Sequence, residues 1–390
     1  MLPDSIFENT EVAFAVKSNA EIERAYYLFK MIKNEPMVKI GSKITKFALN
    51  MHLPIEGIIK TTVFNHFCGG VSIDECIPTA EKMYTKKVCS IFDYSAEGKQ
   101  EEEAFDKAVD ITLEVIDKAK DRVYMPFTVF KPTGIGREKL YEKVSAGEAL
   151  TDEEIKEWER IIARYEKVAQ ASVKHDVRLL IDAEDFAIQK AADDVAEMLM
   201  EKYNKDKALI YSTLQMYRND RLDYLKSLYE RSRDKGFHIG MKLVRGAYME
   251  KERERAEKMG YPDPICKTKA DTDQMYNDAV KFMFDHIDTM AIYLGTHNEK
   301  STLMLINMIE QSGLNKNDHR FWFGQLYGMS DHITYNLSNQ GYNATKYLPF
   351  GPVRDVMPYL IRRADENTSV GNQTNRELDL LAKERKRRKL

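Results

Sequence analysis

Cysteine is scarce in this 390-residue chain: Cys68, Cys76, Cys89 and Cys266 are all there is, and no two are spaced as CxxC. That pattern excludes a disulfide scaffold and implies free thiols in a reducing compartment. The eight histidines contain no HxxxH or HExxH spacing, so no metal is expected. Glycine-rich phosphate loops of the GxGxxG or GxxxxGK[ST] type are also missing, which argues against an open doubly wound nucleotide-binding sheet. Apolar runs fall well short of the ~20 residues a membrane span needs. No early stretch has the basic, apolar and small-residue order of a signal peptide, so the expected location is the cytoplasm. With a net charge of −3 the chain has no global basic field to attract nucleic acid. One local exception is residues 383–389, six basic residues and one acid. That run is read first as a solvated helix end. The second reading is a contact for anionic lipid, which would hold the protein peripherally at the inner face of a membrane.

The remaining composition, 43% hydrophobic and 31% charged, is that of a soluble enzyme able to bury one large core. Residues 1–87 read as a helical region, because Ile22, Ala25, Leu28, Phe29 and Ile32 recur at helical spacing between charges. Beyond it, short apolar runs alternate with amphipathic helices such as 102–118, 152–175 and 185–202. The runs lie at 88–94, 123–130, 178–183, 209–214, 239–244, 291–296, 320–325 and 344–348. Continuous apolar strands separated by helices predict a parallel sheet covered on both faces. Eight such units predict an α/β fold, a (βα)8 TIM-like barrel over 88–375 behind the N-terminal helical region, with a basic tail at 376–390. Trp322 and Phe323 read as core.

A barrel enzyme carries its chemistry where strands end, and these strands end in polar groups. They are Asp93 and Glu97, Lys131, Asp182 and Glu184, Gln215, Arg245 to Tyr248, Thr296-His297-Asn298, Gln325 and Tyr347. After the eighth run, Gly351-Pro352 breaks the chain and a helix is predicted from about Val353. On that helix Tyr359, Arg362, Arg363 and Glu366 share a face. Adjacent guanidiniums suit a carboxylate, which their planar forks can grip bidentately. The plainer alternative is a solvated face with a Glu366–Arg362 pair.

The string Tyr359-Leu-Ile-Arg-Arg-Ala-Asp-Glu-Asn367 resembles the Tyr-Leu-x-Arg-Arg-x-x-Glu-Asn signature of proline dehydrogenases. Ile181-Asp-Ala-Glu184, Lys242-Leu-Val-Arg-Gly-Ala-Tyr248, Thr296-His-Asn298 and Leu326-Tyr-Gly-Met329 follow in the family's order. The resemblance spans about 88–375. It implies a distorted (βα)8 barrel that binds FAD and oxidises L-proline to pyrroline-5-carboxylate, passing electrons to a quinone. By position, Lys131, Arg362 and Arg363 would hold the substrate carboxylate, and Tyr347, Tyr359 and Leu326 would wall the pyrrolidine ring. Asp182 and Lys242 would form the catalytic pair of positions. Lys242 stands where some bacterial members have arginine, and resembles the mitochondrial-type branch. Ala183, Gln215, Val244, Arg245, Gly246 and Ala247 would contact the flavin. Thr268, Lys269, Thr296, His297 and Glu366 would reach its ribose, pyrophosphate or adenine portion, with a register at Thr268-Lys269 that a short match leaves open by one residue.

The resemblance makes the flavin the hydride acceptor and the protein the positioning device. Three cations around one carboxylate would also favour the neutral amine, the form able to release a hydride. Asp182 is expected to pair with one of the arginines. Three alternatives remain at this level. One is oxidation of hydroxyproline, which the bulk of Tyr347 opposes; another is a non-flavin lyase using Lys131 as a Schiff base; the third is a non-enzymatic partner-binding protein with residues 1–87 as its interaction module.

Overall fold

The eight apolar runs form eight strands: β1 (Cys89–Tyr94), β2 (Phe127–Phe130), β3 (Arg178–Ile181), β4 (Ile210–Gln215), β5 (Ile239–Val244), β6 (Met290–Gly295), β7 (Phe321–Leu326) and β8 (Ala344–Phe350). They close into a barrel in sequence order, with parallel pairs such as β1 with β8 and β4 with β5. All seven residues of β8 and all six of β4 are buried, as expected of parallel strands covered on both faces. The computed structural model describes residues 4–33, 56–95, 100–369 and 371–390. The side chains of Ile58, 364–369, Gly371 and Asn372 fall outside that description. Part of the expected N-terminal helical region (34–55), Glu97 and the side chain of Glu366 therefore lie outside the described residues.

All strand bounds but one fall within two residues of the apolar runs. The second strand starts at Phe127 rather than Val123, and Val123 is 75% exposed. Pro126 has no N–H for a ladder, and its carbonyl makes the first contact by accepting from Arg178 N–H at 3.2 Å. The eighth strand runs past Leu348 to Phe350, because the carbonyls of Pro349 and Phe350 accept from Gly69 N–H (2.9 Å) and Ser95 N–H (3.1 Å).

Helix starts follow local chemistry. Ser18 with Glu21, Thr151 with Glu154 and Thr268 with Asp271 form reciprocal capping boxes at the heads of Asn19–Ile32, Asp152–Lys174 and Lys269–Asp285. Each satisfies two N–H groups that the first turn leaves without partners.

The chain divides into two compact units, Met1–Glu97 with Gly324–Leu390, and Gly98–Phe323. In the second, Leu180, Leu199, Leu214, Met241 and Ile292 are fully buried or nearly so. Trp322 is core as expected, set edge-on to Phe127 with the Arg178 guanidinium over both rings. In the first unit, Ile22, Phe29, Phe64, Phe67, Met329, Val356, Tyr359, Leu380 and Leu381 share one apolar cluster. The helix Asn19–Ile32 and the last helix, Gly371–Arg388, both contribute to it.

That last helix contains the basic run, and most of its charge is spent within the unit. Arg385 pairs with Glu23 at 2.5 Å, Lys383 with Glu8 at 3.1 Å, and Arg387 and Arg388 with Glu384 at 2.8 and 2.6 Å. Arg388 also donates to the carbonyls of Phe14 and Lys17 at 2.9 and 2.7 Å. Lys386 and Lys389 remain exposed.

His66 gives this unit a pH dependence. Its Nε2 lies 2.9 Å from Gly328 O, so the neutral ring donates there. Burial, then the nearby charge of Lys17, pushes its pKa down to about 3. Because the folded value lies below the unfolded one, the unfolded chain takes up the proton first. The stability is complete above about pH 6.5 and falls by about 1.4 kcal/mol per pH unit on acidification towards the folded value. The thermal midpoint should therefore drop between pH 7 and pH 5. His66→Gln should flatten the slope, and an equally steep slope in that variant would remove His66 as its source.

Candidate functional site

In the unit Gly98–Phe323, the polar residues that follow the strands form two linked arrangements. Asp182, just after β3, forms an ion pair with Lys242 of β5, both largely buried (15% and 7% side-chain exposure). Residues of alternate strands share a layer of a barrel interior, so a β3–β5 pair needs both side chains directed inward. The cation that the pair sets against Asp182 is a lysine from within the barrel. Lys131 follows β2 and precedes a turn of helix at Pro132–Gly134, half-buried. Beside it, Thr133 Oγ1 donates to Glu184 at 2.9 Å, and Glu184 N–H donates to Gln189 Oε1 at 3.0 Å. Gln189 in turn donates to Asp193, which pairs with the buried Arg221 at 2.6 Å. The loop after β3 is thereby anchored to the helix that follows it.

The second arrangement starts where β4 and β5 end. Their pairing continues beyond the strands: Met216 N–H donates to Val244 O (2.8 Å) and Tyr217 N–H to Arg245 O (2.7 Å). Gly246 then adopts φ +133°, and a Cβ there would lie 2.4 Å from the Tyr217 ring, so the turn requires glycine. Gln215 is buried, and its Oε1 has no hydrogen-bond partner among the described residues. Arg245 donates to Asp273 (2.7 Å), Thr296 Oγ1 (2.8 Å) and Ser301 Oγ (3.0 Å), with its guanidinium 4.4 Å from the Tyr276 ring centroid. Lys269 pairs with the same Asp273 at 2.5 Å. Burial alone would raise the Asp273 pKa, but hydrogen bonds from Lys269 and Arg245 outweigh it and hold the carboxyl below the usual range. Thr268 is the N-cap of the helix that Lys269 begins.

Arg245 and Lys269, named from the sequence, therefore meet at an anion not named there, Asp273, and Arg245 also joins them to Thr296. Its i+4 spacing from Lys269 was the available signal; Ser301 and Tyr276 offered none. Ala183 and His297 stand at half-buried positions after β3 and β6, and Val244 ends β5. A donor set of two cations at the N-terminal end of a long helix suits a phosphate-bearing group. A buried amide oxygen lacking a donor suits the N–H edge of a heterocycle.

In the other unit, Tyr347, Tyr359 and Arg363 are buried and Arg362 is half-buried. The helix Val353–Ser369 carries the last three, and the Arg363 guanidinium lies 5.3 Å from the Tyr359 ring centroid, as i and i+4 on one face require. Leu326 packs against the apolar cluster that contains Tyr359, and the following residue, Tyr327, donates its N–H to Tyr347 O at 2.8 Å.

Among the described residues no group of three or more His, Cys, Asp or Glu side chains could hold a metal ion, and no helix is long and apolar enough to cross a membrane.

Residues 76–376 match the family model for proline dehydrogenase. The chain is 35% identical to the carbapenem antibiotics biosynthesis protein CarD of Pectobacterium carotovorum subsp. carotovorum, over 85% of this chain and 86% of that one. It is 30% identical to the mitochondrial proline dehydrogenase 1 of Dictyostelium discoideum, over 97% of this chain and 74% of the relative. Its fold is similar to proline utilization A of Bdellovibrio bacteriovorus inactivated by N-propargylglycine, with a TM-score of 0.72 at 20% identity, covering 97% of this chain and 38% of that larger one.

Proposed function

Because the chain belongs to the proline dehydrogenase family, we propose that it oxidises L-proline to pyrroline-5-carboxylate with FAD, passing the electrons on to a quinone. The observation that carries the flavin reading is Gln215 Oε1, a buried acceptor with no donor among the described residues, at the end of β4. Leaving such an atom unsatisfied costs about 1–3 kcal/mol, which a heterocycle N–H would relieve. Ala183 and Val244 to Ala247 would line the same face. Arg245, Lys269 and Thr296 would hold the phosphate and ribose portion, with Thr268, His297 and Glu366 beside them. FAD, when bound, supplies the acceptor for the hydride that leaves the carbon beside the ring nitrogen.

Each of the residues assigned to the substrate side then has a defined task. Arg362, Arg363 and Lys131 bind the carboxylate. Their positive field favours the neutral amine, whose lone pair is free to form the C=N bond as the hydride departs. Asp182 holds Lys242 in place inside the barrel. Tyr347, Tyr359 and Leu326 fix the ring by contact, which converts binding into orientation. Tyr347 crowds position 4 of that ring and so selects proline over hydroxyproline. A cytoplasmic location with peripheral membrane contact is part of the proposal. Such contact would fall to Lys386 and Lys389, since the neighbouring cations already face acids.

The test is the visible spectrum of the purified protein. Flavin absorption should be present, should be lost on adding L-proline without oxygen, and should persist far longer with 4-hydroxyproline. A folded, colourless protein that takes up no FAD would overturn the reading and favour a lyase acting through Lys131. Equal loss of absorption with both amino acids would remove Tyr347 as the selector.

A further inference from the structure

Residues 326–331, Leu-Tyr-Gly-Met-Ser-Asp, join β7 to the helix Asp331–Asn339 and begin with Leu326. Side chains from well outside this connection grip its backbone. Lys346, fully buried on β8, donates to the carbonyls of Leu326 (3.3 Å) and Met329, and pairs with Asp331 Oδ1 at 2.8 Å. Lys17 of the N-terminal segment pairs with Asp331 Oδ2 at 3.1 Å. Glu377 of the last helix, 2% exposed, accepts from Ser330 N–H at 2.5 Å. His66 donates to Gly328 O at 2.9 Å.

The grip holds backbone that would not stay so by itself. Ser330, a non-glycine residue, sits at φ +51°, in the left-handed region. Gly328 has φ +80°, and a Cβ there would lie 2.3 Å from His66 O. Conformations of this kind persist when their surroundings over-determine them. Stability alone is a weak explanation for the charges involved, since well-packed apolar residues usually replace buried ion pairs without loss. What apolar residues cannot supply is a directional hold on particular N–H and C=O groups.

We propose that Lys17, Lys346 and Glu377 are positioning residues for the substrate, fixing through Asp331 and Ser330 the connection that carries Leu326. The helices flanking the barrel in sequence thereby set the fit of the ring. This inference rests on the reading of Leu326 and Tyr347 as ring walls. Tyr347 follows Lys346 directly and accepts from Tyr327 N–H within the same connection. Strand alternation turns adjacent side chains to opposite faces. Lys346 can therefore brace the connection while Tyr347 faces the other side of the strand.

The test uses the FAD-loaded full chain and three variants: Glu377→Leu, which removes the acceptor, Glu377→Gln, which keeps one, and Lys17→Met. Flavin content, thermal midpoint, kcat and KM are measured for L-proline and for its six-membered homologue, L-pipecolate. In Glu377→Leu and Lys17→Met, KM for proline should rise about tenfold with kcat within about twofold, the signature of lost ground-state fit. The preference for the five-membered ring should fall about tenfold, the scale of one methylene in a pocket. Glu377→Gln should restore wild-type values. Unchanged KM and ring preference in Lys17→Met, with or without a shift in midpoint, would overturn the proposal. So would a Glu377→Gln variant as impaired as Glu377→Leu. If Glu377→Leu fails to fold, Lys17→Met against wild type decides. Absence of proline oxidation by the wild-type protein would instead refute the underlying reading, and it is seen before any variant is measured.

Discussion

Replacing Arg363 by methionine is expected to lower kcat/KM for L-proline by roughly 10²–10³-fold while leaving flavin content unchanged. Arg363 is 8% exposed, so a carboxylate bound to it is shielded from water and the interaction is correspondingly strong. Removing one partner of a buried, hydrogen-bonded charge pair costs about 3–4 kcal/mol, and each 1.36 kcal/mol is about tenfold in rate. Methionine keeps the apolar stem, so packing beside Tyr359 and Leu360 is retained and the thermal midpoint should move little. The carboxylate does not change during hydride transfer. Its binding is equally strong before and at the transition state, and the loss should fall mainly on KM. A variant whose KM stays within about twofold of wild type would show that Arg363 does not touch the substrate.

Asp182→Asn is expected to reduce both stability and turnover. Lys242 and Asp182 are 7% and 15% exposed, and withdrawing the carboxylate that faces this ammonium costs about 3–5 kcal/mol. The thermal midpoint should drop accordingly and kcat should fall at least about a hundredfold. The two effects can be separated. Asp182→Asn combined with Lys242→Met removes both charges, and an apolar pair of similar size is often no less stable than the ion pair it replaces. The double variant should therefore recover much of the midpoint without recovering kcat. Recovery of both, or a single variant with wild-type kcat, would assign the pair a structural role only.

The strands were legible in the sequence because both of their faces are covered. β4, β5 and β8 are buried along nearly their whole length and are rich in apolar residues, with Lys242 and Lys346 as the charged exceptions. The misplaced start of β2 has the same origin: Val123 is apolar but 75% exposed, and hydrophobicity alone does not reveal which apolar residue the fold buries. Helix starts at Asn19, Asp152 and Lys269 were set by Ser or Thr caps three residues before an acid, a purely local device. At the candidate site, residue types at strand ends and the strings that resemble the family's identified Asp182, Lys242, Arg245, Lys269, Thr296 and Arg363 as positions of interest. They did not identify partners. Nothing near Arg245 in sequence announces Ser301, and Lys346 lies within an apolar strand whose pattern gives no hint of Lys17 or Glu377.

What the sequence determined by itself was therefore local: the alternation of strands and helices, the caps, and the family's characteristic strings. Only the tertiary structure decided which charges meet. It set Lys242 against Asp182 and Arg245 with Lys269 around Asp273, and it tied Lys346 and Lys17 to Asp331. It also converted the basic run from an apparently solvated tail into a docked helix, neutralised by Glu8, Glu23 and its own Glu384. The physical reason is the range of the interactions. Caps and periodicity act over a single turn or strand and leave a mark in the order of residues. Ion pairs between distant segments form only when packing removes their water, and packing is a property of the folded chain.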